Sequence, residues 1–502
     1  WQAIQHAVVT HRDTVVYCDG VVVLGVVVGQ FVGAVPGIGP VMAMAIAIPF
    51  TFGLDPLPGI AFLIGVNKGG LVGGAIPAVL MNTPGTPDAA ATALDGYPLA
   101  KNGKPLKATK MALFSSVSGD LFSDLVLVTI SAPLAVLALR MGPVEVLALM
   151  IFAFSVLAGL IGNSLVKGLI AAALGLLLAC VGSDPENYTP RLIFGLWDLY
   201  DGLPLPSVAI GMLAIAEILR RMAQCDGTAR ATIKVDRTGK PEDRRVSFAE
   251  YWSCRFVLLR GAITGTLLGA LPGIGSTAAA FISYALTKSA ARDPHTFGKG
   301  NIKGIAAAES ANSSVVGANL IPLLTLGILG SVSAALIVSA FMIHGLQPGP
   351  LLFENQGRLV YGLFGAMLMA NFVNLWVGQI GLRIWVRVVS APEPVIFASA
   401  LLMCIVGVDM ASGGVFGVFV MLCFAAAGHV LAAFGYSLVI IIIAFFLGPR
   451  LEISLAQSVA LTNGDPARII DYPVAIALLL LSVVSVIYLL RRGQANLDSN
   501  RD

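Results

Sequence analysis

Long apolar stretches interrupted by Gly and Pro are the feature that most constrains the fold of this 502-residue chain. The stretches at 146–162, 413–431 and 474–490 each approach the roughly 20 residues that a membrane-spanning helix requires. Only 12% of the residues are charged, whereas soluble domains carry roughly 25%. Strand-like alternation, which a transmembrane barrel requires, does not occur in the sequence. We therefore predict an all-α polytopic membrane protein.

The apolar blocks predict roughly ten to twelve membrane segments in two halves. A basic linker at 223–255 separates a first membrane half at 1–222 from a second at 256–490, and a basic tail follows at 491–502. Because Lys and Arg are enriched on the cytoplasmic side of membrane proteins, the linker and the tail are predicted to be cytoplasmic.

The loops between the segments follow the same rule. The loops at 101–110 and 288–303 are basic and are predicted to be cytoplasmic, whereas those at 51–58 and 344–358 are poor in Lys and Arg and are predicted to be external.

An internal repeat relates the two halves. Residues 25–40, GVVVGQFVGAVPGIGP, align without a gap with residues 261–276, GAITGTLLGALPGIGS. A second match follows in the same order, in which 76–77 pair with 321–322, 67 with 312 and 84–86 with 329–331. The basic and non-basic loops that follow the motifs are exchanged between the halves. This exchange predicts inverted repeats of helical hairpins and broken helices, an architecture of secondary transporters with the substrate site at the repeat interface.

The Pro-Gly-Ile-Gly motifs at 36–39 and 272–275 interrupt apolar helices. Irregular backbone at membrane depth is tolerated only where it is buried in protein or lines a watery cavity. We predict that helices restart at Pro40 and Ser276, because proline suits the first helical position and serine caps helices well. Unpaired N–H groups at such helix starts attract anions.

The second motif pair, at 82–87 and 327–331, predicts the same arrangement, with Thr86 capping a helix that begins at Pro87 and Ser331 capping its counterpart. If the repeats bring the four starts together, they form a cradle for a carboxylate-rich solute. The alternative is structural, because Gly and Pro are common in membrane helices and Gly-x3-Gly spacing packs helices. We favour that packing interpretation for six glycines: Gly25, Gly29, Gly33, Gly261, Gly265 and Gly269.

Ionisable residues inside apolar blocks are further candidates, because burying a charge in a membrane is costly. Lys68 is predicted to bind a substrate carboxylate or to pair with an acid such as Asp120 or Asp124, with snorkelling to the interface as the alternative. Asp120 and Asp124 share one helical face and are predicted to make interhelical hydrogen bonds. Glu309, beside Ser310, is a candidate for proton relay or cation coordination, with helix capping as the alternative.

Other chemistry finds little support in the sequence. The six cysteines are dispersed without a Cys-x2-Cys pair, which argues against a metal site or a disulfide framework. No His-Glu-x2-His motif, phosphate-binding loop or convincing Ser/His pairing occurs. We therefore predict no enzyme, no metal, no nucleic acid partner and no cofactor beyond a possible coupling Na⁺ or H⁺. A channel is disfavoured because continuous polar lining is absent from the sequence.

Several segments together resemble the large membrane subunit of the tripartite tricarboxylate transporters. The resemblance spans most of both halves in order. It departs from the family pattern at Leu329, where the family has proline and where we expect a softer helix break, and at Lys68, where an aromatic residue is usual. The segments are GAVPGIGP at 33–40, PFTFGLDP at 49–56, MNTPGTPDAAATALDGYPLAKNGKP at 81–105, GALPGIGSTAAAFISYAL at 269–286, FGKGNIKGIAAAESAN at 297–312 and IPLLTLGILGS at 321–331.

The resemblance implies secondary active uptake of organic anions, tri- or dicarboxylates, across the bacterial inner membrane. The chain would be the multi-pass permease subunit, working with a small membrane subunit and a periplasmic solute-binding protein and driven by an ion gradient. A stand-alone inverted-repeat symporter is the alternative. Glu309 is the candidate for the coupling ion. The candidate substrate-binding residues are Pro36, Gly37, Gly39, Pro40, Asn67, Lys68, Asn82, Thr83, Pro84, Gly85, Thr86, Pro272, Gly273, Gly275, Ser276, Thr277, Ser310, Asn312, Gly327, Gly330 and Ser331.

Overall fold

A computed structural model of the chain is mostly helical, which confirms the predicted all-α polytopic fold. By length and composition, five of the described helices are able to cross a membrane, and further apolar helices of 10–17 residues accompany them. Most of the predicted linker at 223–255 and the last four residues of the tail lie outside the described part of the chain. The structure describes residues 2–35, 39–82, 86–160, 165–185, 187–224, 243, 245–271, 275–388, 393–412 and 414–498.

The first half begins with the helices that form repeat 1 and ends with a helix that contains a π-helical segment at Ile210–Ile215. A two-stranded antiparallel hairpin, β1 (Gly182–Ser183) with β2 (Pro190–Arg191), precedes that helix. The helices are α1 (Gln2–Gly33), α2 (Pro40–Ala47), α3 (Pro56–Met81), α4 (Ala89–Lys101), α5 (Pro105–Leu139), α6 (Pro143–Leu160), α7 (Leu165–Ala179), α8 (Leu205–Ala209) and α9 (Ala216–Gln224).

The second half repeats the order of α1 to α4 and then adds the remaining helices. Its helices are α10 (Phe248–Ser253), α11 (Arg255–Gly269), α12 (Gly275–Ser289), α13 (Ile302–Leu326), α14 (Val332–Ile343), α15 (Leu351–Asn355), α16 (Gly357–Val388), α17 (Glu393–Ala411), α18 (Val415–Ala433), α19 (Leu438–Leu461) and α20 (Pro473–Asp498).

Glycines hold the first helix of each repeat against the third. On α1, a Cβ at Gly29 would lie 2.2 Å from the backbone oxygen of Val66 on α3. On α11, a Cβ at Gly265 would lie 2.1 Å from the backbone oxygen of Ala311 on α13. Any side chain would force the helix backbones apart, so these contacts agree with the packing interpretation of the glycines. The other pairs keep the same register: Gly25 with Phe62, Gly33 with Gly70, Gly261 with Ala307, and Gly269 with Val315.

Helix α4 joins the end of α3 to the start of α13. Gly96 of α4 lies against Val79, because a Cβ on Gly96 would be 2.8 Å from the Val79 Cγ2 atom. One residue earlier, the Asp95 carboxylate accepts hydrogen bonds of 2.8–2.9 Å from three backbone N–H groups in the loop that enters α13. The carboxyl end of α3 and the amino end of α13 therefore lie at the same end of the molecule. The three donors are Gly298, Gly300 and Asn301.

The opposite ends of these two helices also meet. Gly59, in the first turn of α3, lies against the His344 imidazole, and Gly327, just past α13, lies against the backbone oxygen of Pro348. His344 and Pro348 belong to one loop, so α3 and α13 run in opposite directions. Since α1 runs parallel to α3 and α11 runs parallel to α13, the two repeats are inverted relative to each other. The basic loops of the two repeats consequently share one end of the molecule.

The two long repeat helices end in the same way. Asn82 caps α3 in the left-handed conformation with a φ of 52°, and Gly327 caps α13 with a φ of 68°. These positions match in the repeat alignment. Residues 327–330 are non-helical, so the expectation of a softer break at Leu329 is wrong. The predicted start of α4 at Pro87 is also wrong, because residues 87–88 form a turn and the helix begins at Ala89.

A second group of helices packs beside the repeats. The segment from α8 through the π-helical turn to α9 lies along α18, with Gly211 against Met421 and Gly428 against Met212. Helix α19 packs against α6 and α7, whereas α16 packs against α1, α3 and α5. The π-helical segment also contacts α2. This arrangement leaves a space between the repeat hairpins and the helices α9, α18 and α19.

Candidate functional site

A cavity of about 920 Å³ fills that space. Its volume is within the range of small-molecule pockets in proteins. The repeats contribute the tips of their hairpins, and α9, α18 and the start of α19 form the facing wall. The tip residues that line it are Gly39 and Pro40, Thr86 to Asp88, Gly275 to Thr277, and Gly330 to Ser333.

Each tip ends at the start of a helix. Gly39 is extended and precedes Pro40 in the first position of α2, as predicted. Ser331 caps α14 by accepting a hydrogen bond of 3.2 Å from the Ala334 N–H, also as predicted. Thr86 accepts a weaker bond of 3.3 Å from the Ala89 N–H. Helix α12 begins at Gly275, one residue before the predicted start.

The amino ends of α2, α4, α12 and α14 therefore converge on one cavity. The first N–H groups of a helix have no partner inside the helix, and the helix dipole makes this end electropositive. Four such ends around one space favour a solute that carries several negative charges.

Nine of the predicted substrate-binding residues line this cavity. They come from both repeats, as an interface site between inverted repeats requires. They are Gly39, Pro40, Asn67, Thr86, Gly275, Ser276, Thr277, Gly330 and Ser331. Seven others lie outside the described residues: Pro36, Gly37, Thr83, Pro84, Gly85, Pro272 and Gly273.

Other predicted residues lie away from the cavity wall. Asn82 and Gly327 are at the turning points of the repeats, at opposite ends of the molecule. Ser310 is buried in the contact between α11 and α13, where its Oγ would lie 2.1 Å from a Cβ on Gly261. Asn312 is buried close to the lining residue Asp88.

Lys68 forms a buried ion-pair cluster with α5. Its Nζ atom lies 2.7 Å from Asp124 Oδ2 and 3.4 Å from Asp120 Oδ1, and none of the three side chains is more than 1% exposed. The Nζ atom also donates a 2.9 Å hydrogen bond to Asn371 of α16. Of the predicted alternatives for Lys68, the one observed is an ion pair with Asp120 and Asp124. The lysine is buried and does not snorkel to an interface.

Glu309 is fully buried between α4 and α5. Its carboxylate accepts hydrogen bonds of 2.5 Å from the hydroxyls of Thr92 and Ser116. Glu309 lies in the third turn of α13, so it does not cap the helix. These bonds connect α13 to α4 and α5 behind the cavity.

Asp88 is a buried acidic lining residue that the sequence analysis missed. It is 3% exposed, and it interacts with the side chains of Thr86, Ser276 and Asn312. One signal was present in the sequence. Asp88 directly follows the duplicated motif, and the aligned position of the second repeat has Ser333 instead. An acid in one repeat and a hydroxyl in the other make the two halves of the cavity chemically different.

The cavity extends along α9, the helix that the basic linker follows in the chain. Arg220 and Glu217 line this part and form an ion pair of 2.7 Å. Helix α18 runs parallel to α9, and its last turn with the following loop, Ala432 to Val439, lines the same part. Among the described lining residues, Arg220 is the only basic one. Deeper in the cavity, the donors available to an anion are therefore backbone N–H groups, hydroxyls and the amides of Asn67 and Asn319.

Comparison with known proteins agrees with this architecture. The model of the tripartite tricarboxylate transporter TctA family matches residues 20–443. An Agrobacterium vitis protein, described as an uncharacterized 52.8 kDa protein in the TAR-I ttuC' 3' region, is 32% identical over 464 residues, which cover 92% of this chain and 91% of that protein. A second A. vitis protein, from the TAR-II ttuC' 3' region, is 34% identical over 223 residues, 44% of this chain and 92% of its own length. No solved structure matches.

Proposed function

Because the chain belongs to the tripartite tricarboxylate transporter TctA family, we propose that it is the permease subunit that carries organic anions, tri- or dicarboxylates, by secondary active uptake across the bacterial inner membrane. The family is one of membrane transporters. The observation that supports the proposed substrate class is the convergence of four helix starts on one cavity of about 920 Å³.

The chemistry of the lining fits a carboxylate. Helix N–H groups and hydroxyls such as those of Ser276, Thr277 and Ser331 donate hydrogen bonds to carboxylate oxygens without a fixed positive charge. A site of this kind has no cationic side chain whose burial must be offset by the solute, so it can be empty after release without leaving an unpaired buried charge. Transport requires release on the far side, so such a lining suits a permease.

The direction in which the cavity extends supports a proposal for the side of the membrane that it faces. It extends along α9, the helix that leads into the basic linker, and the distribution of Lys and Arg predicts that this linker is cytoplasmic. In this conformation the cavity would release the anion inside the cell. A periplasmic solute-binding protein would deliver the anion to the other end, and a small membrane subunit would complete the complex. A Na⁺ or H⁺ gradient would drive uptake.

Uptake of labelled citrate into reconstituted vesicles tests this function. The vesicles would contain the chain, the small membrane subunit and the binding protein, and each component would be omitted in turn under separately imposed sodium and proton gradients. We expect uptake only with all three components and one of the gradients. Uptake by the chain alone would favour the stand-alone symporter, and absence of uptake of any di- or tricarboxylate by inserted protein would refute the proposed substrate class.

A further inference from the structure

Asp88 is an acid in a cavity that the proposed function assigns to an anion. Its carboxylate is 3% exposed, and its Oδ2 atom has no hydrogen-bond partner among the described residues. A buried carboxylate without a counter-charge is costly. It would also repel a carboxylate solute in the same cavity. A bound cation would remove both problems.

Three neutral side chains from different parts of the chain contact this carboxylate. The side chains of Thr86, Ser276 and Asn312 lie close enough to Asp88 to interact with it directly. Asn312, on α13, is 1% exposed, and its Oδ1 atom also lacks a hydrogen-bond partner within the described ranges. Two neighbouring residues therefore each have a buried acceptor oxygen without a donor. Carboxylate, amide and hydroxyl oxygens are the ligands that hard cations prefer.

The second repeat lacks the charge at the equivalent place. The repeat alignment matches Asp88 with Ser333, Asn312 with Asn67, and Ser276 with Pro40. Ser333, Asn67 and Pro40 line the cavity from the other repeat. Helix starts lie in both halves of the pseudo-symmetric cavity, α4 and α12 in the first half and α2 and α14 in the second, but only the first half has a carboxylate. This carboxylate gives the first half a ligand for a cation, whereas the second half offers an anion only neutral groups and helix starts.

The charged side chain that acts on Asp88 is negative rather than positive. Glu309 interacts electrostatically with Asp88, and Glu309 in turn accepts a hydrogen bond from Thr92, in the first turn of α4. Both Glu309 oxygens already accept hydroxyl hydrogen bonds, so Glu309 acts on the site at a distance. Among the described residues, the nearby basic groups are engaged elsewhere, Lys68 with the acids of α5 and Arg220 with Glu217.

We propose that Asp88, Asn312, Thr86 and Ser276 form a binding site for a sodium ion. The one carboxylate among these ligands neutralises a monovalent cation, and the three neutral side chains complete an oxygen shell drawn from both repeats. Sodium bound at this site would be the coupling ion of the transport cycle, a role that rests on the proposed function. Glu309, predicted from the sequence as the coupling-ion residue, has a supporting role from outside the ligand set.

Sodium binding to the purified full-length chain tests the site without any transport. Thermal unfolding midpoints would be measured over a range of NaCl concentrations, with choline chloride holding ionic strength constant. A ligand that binds only the folded state raises the midpoint. We expect sodium to raise it and choline not to. Asp88→Asn keeps the shape of the side chain and removes the only charged ligand. It should therefore raise the sodium concentration at half-saturation by roughly tenfold or more.

Two variants complete this experiment. Ser276→Ala keeps the charge and removes one neutral ligand, so we expect it to weaken sodium binding less than Asp88→Asn does. If Asp88→Asn does not fold, Ser276→Ala still tests the site. Ser289→Ala removes an exposed hydroxyl at the other end of the same helix, away from the cavity, and should leave the sodium response at the wild-type concentration. Equal midpoints in sodium and choline, or a wild-type sodium response in both Asp88→Asn and Ser276→Ala, would overturn the site.

Sodium-driven citrate uptake by the reconstituted complex then separates the site from the function. Loss of the sodium-gradient dependence in Asp88→Asn supports coupling at this site. A sodium response of the purified chain that depends on Asp88, combined with no carboxylate uptake, supports the site and refutes the proposed function. Carboxylate uptake driven by a proton gradient with choline in place of sodium, in a protein whose midpoint does not respond to sodium, refutes the site and leaves the function.

Discussion

Lys68→Met is expected to destabilise the folded chain by roughly 3–5 kcal/mol, the cost of leaving a buried charge without its partner. The lysine ammonium lies 2.7 Å from Asp124 and 3.4 Å from Asp120, and all three side chains are buried. Without it, the two carboxylates either remain charged and unpaired or take up protons at a cost. The measurement is the free energy of unfolding of the purified full-length chain in detergent.

A double variant distinguishes loss of the ion pair from loss of packing. Lys68→Met combined with Asp124→Asn removes both charges of the 2.7 Å pair, so we expect it to recover part of the stability lost in Lys68→Met. Asp124→Asn alone should be destabilising, because Lys68 then retains only the longer contact with Asp120. Additive losses in the double variant, or a wild-type free energy of unfolding for Lys68→Met, would contradict the account of this cluster.

Gly29→Ala is expected to destabilise the chain by about 1–3 kcal/mol, the cost of overfilling a close-packed contact. The added Cβ would lie 2.2 Å from the backbone oxygen of Val66 and 2.9 Å from the backbone nitrogen of Gly70. Backbone atoms of α3 cannot move aside as a flexible side chain can, so α1 and α3 must separate. Thermal unfolding of the purified variant measures this effect.

Gly20→Ala is the matched control on the same helix. A Cβ at Gly20 has no neighbour within 4 Å, and alanine favours a helix over glycine by roughly 0.5–1 kcal/mol. This variant should unfold at or above the wild-type midpoint. If Gly29→Ala and Gly20→Ala have equal midpoints, helix propensity rather than close approach governs α1, and the packing interpretation of the duplicated glycines is wrong.

Duplication explains why much of the repeat architecture could be predicted from the sequence. A lone Gly or Pro in an apolar segment has many explanations, but the same motif in both halves selects a shared structural role. The helix starts at Pro40 and after Ser331 follow directly from the motifs. The inversion followed from the basic loops, and the contacts of Asp95 and His344 now show it through packing.

Contacts between distant segments were beyond the sequence analysis. The Lys68 cluster includes Asn371, a residue of α16 that no repeat or motif connects to α3. The position of Asp88 at the tip depends on a turn at residues 87–88, where the Thr-Pro pair favoured an earlier helix start. Single-sequence patterns specify local breaks and faces, whereas the set of side chains that meet in a cavity depends on how the hairpins pack.

The central claim is that the cavity between the hairpin tips carries the anion. Thr277→Trp places a large side chain into that cavity from the start of α12, and Leu267→Trp places the same side chain on a surface of α11 that is 65% exposed. The measurement is labelled citrate uptake by the reconstituted complex at equal amounts of folded protein. We predict that Thr277→Trp abolishes uptake and that Leu267→Trp retains it, whereas wild-type uptake by Thr277→Trp would contradict the assignment of the cavity.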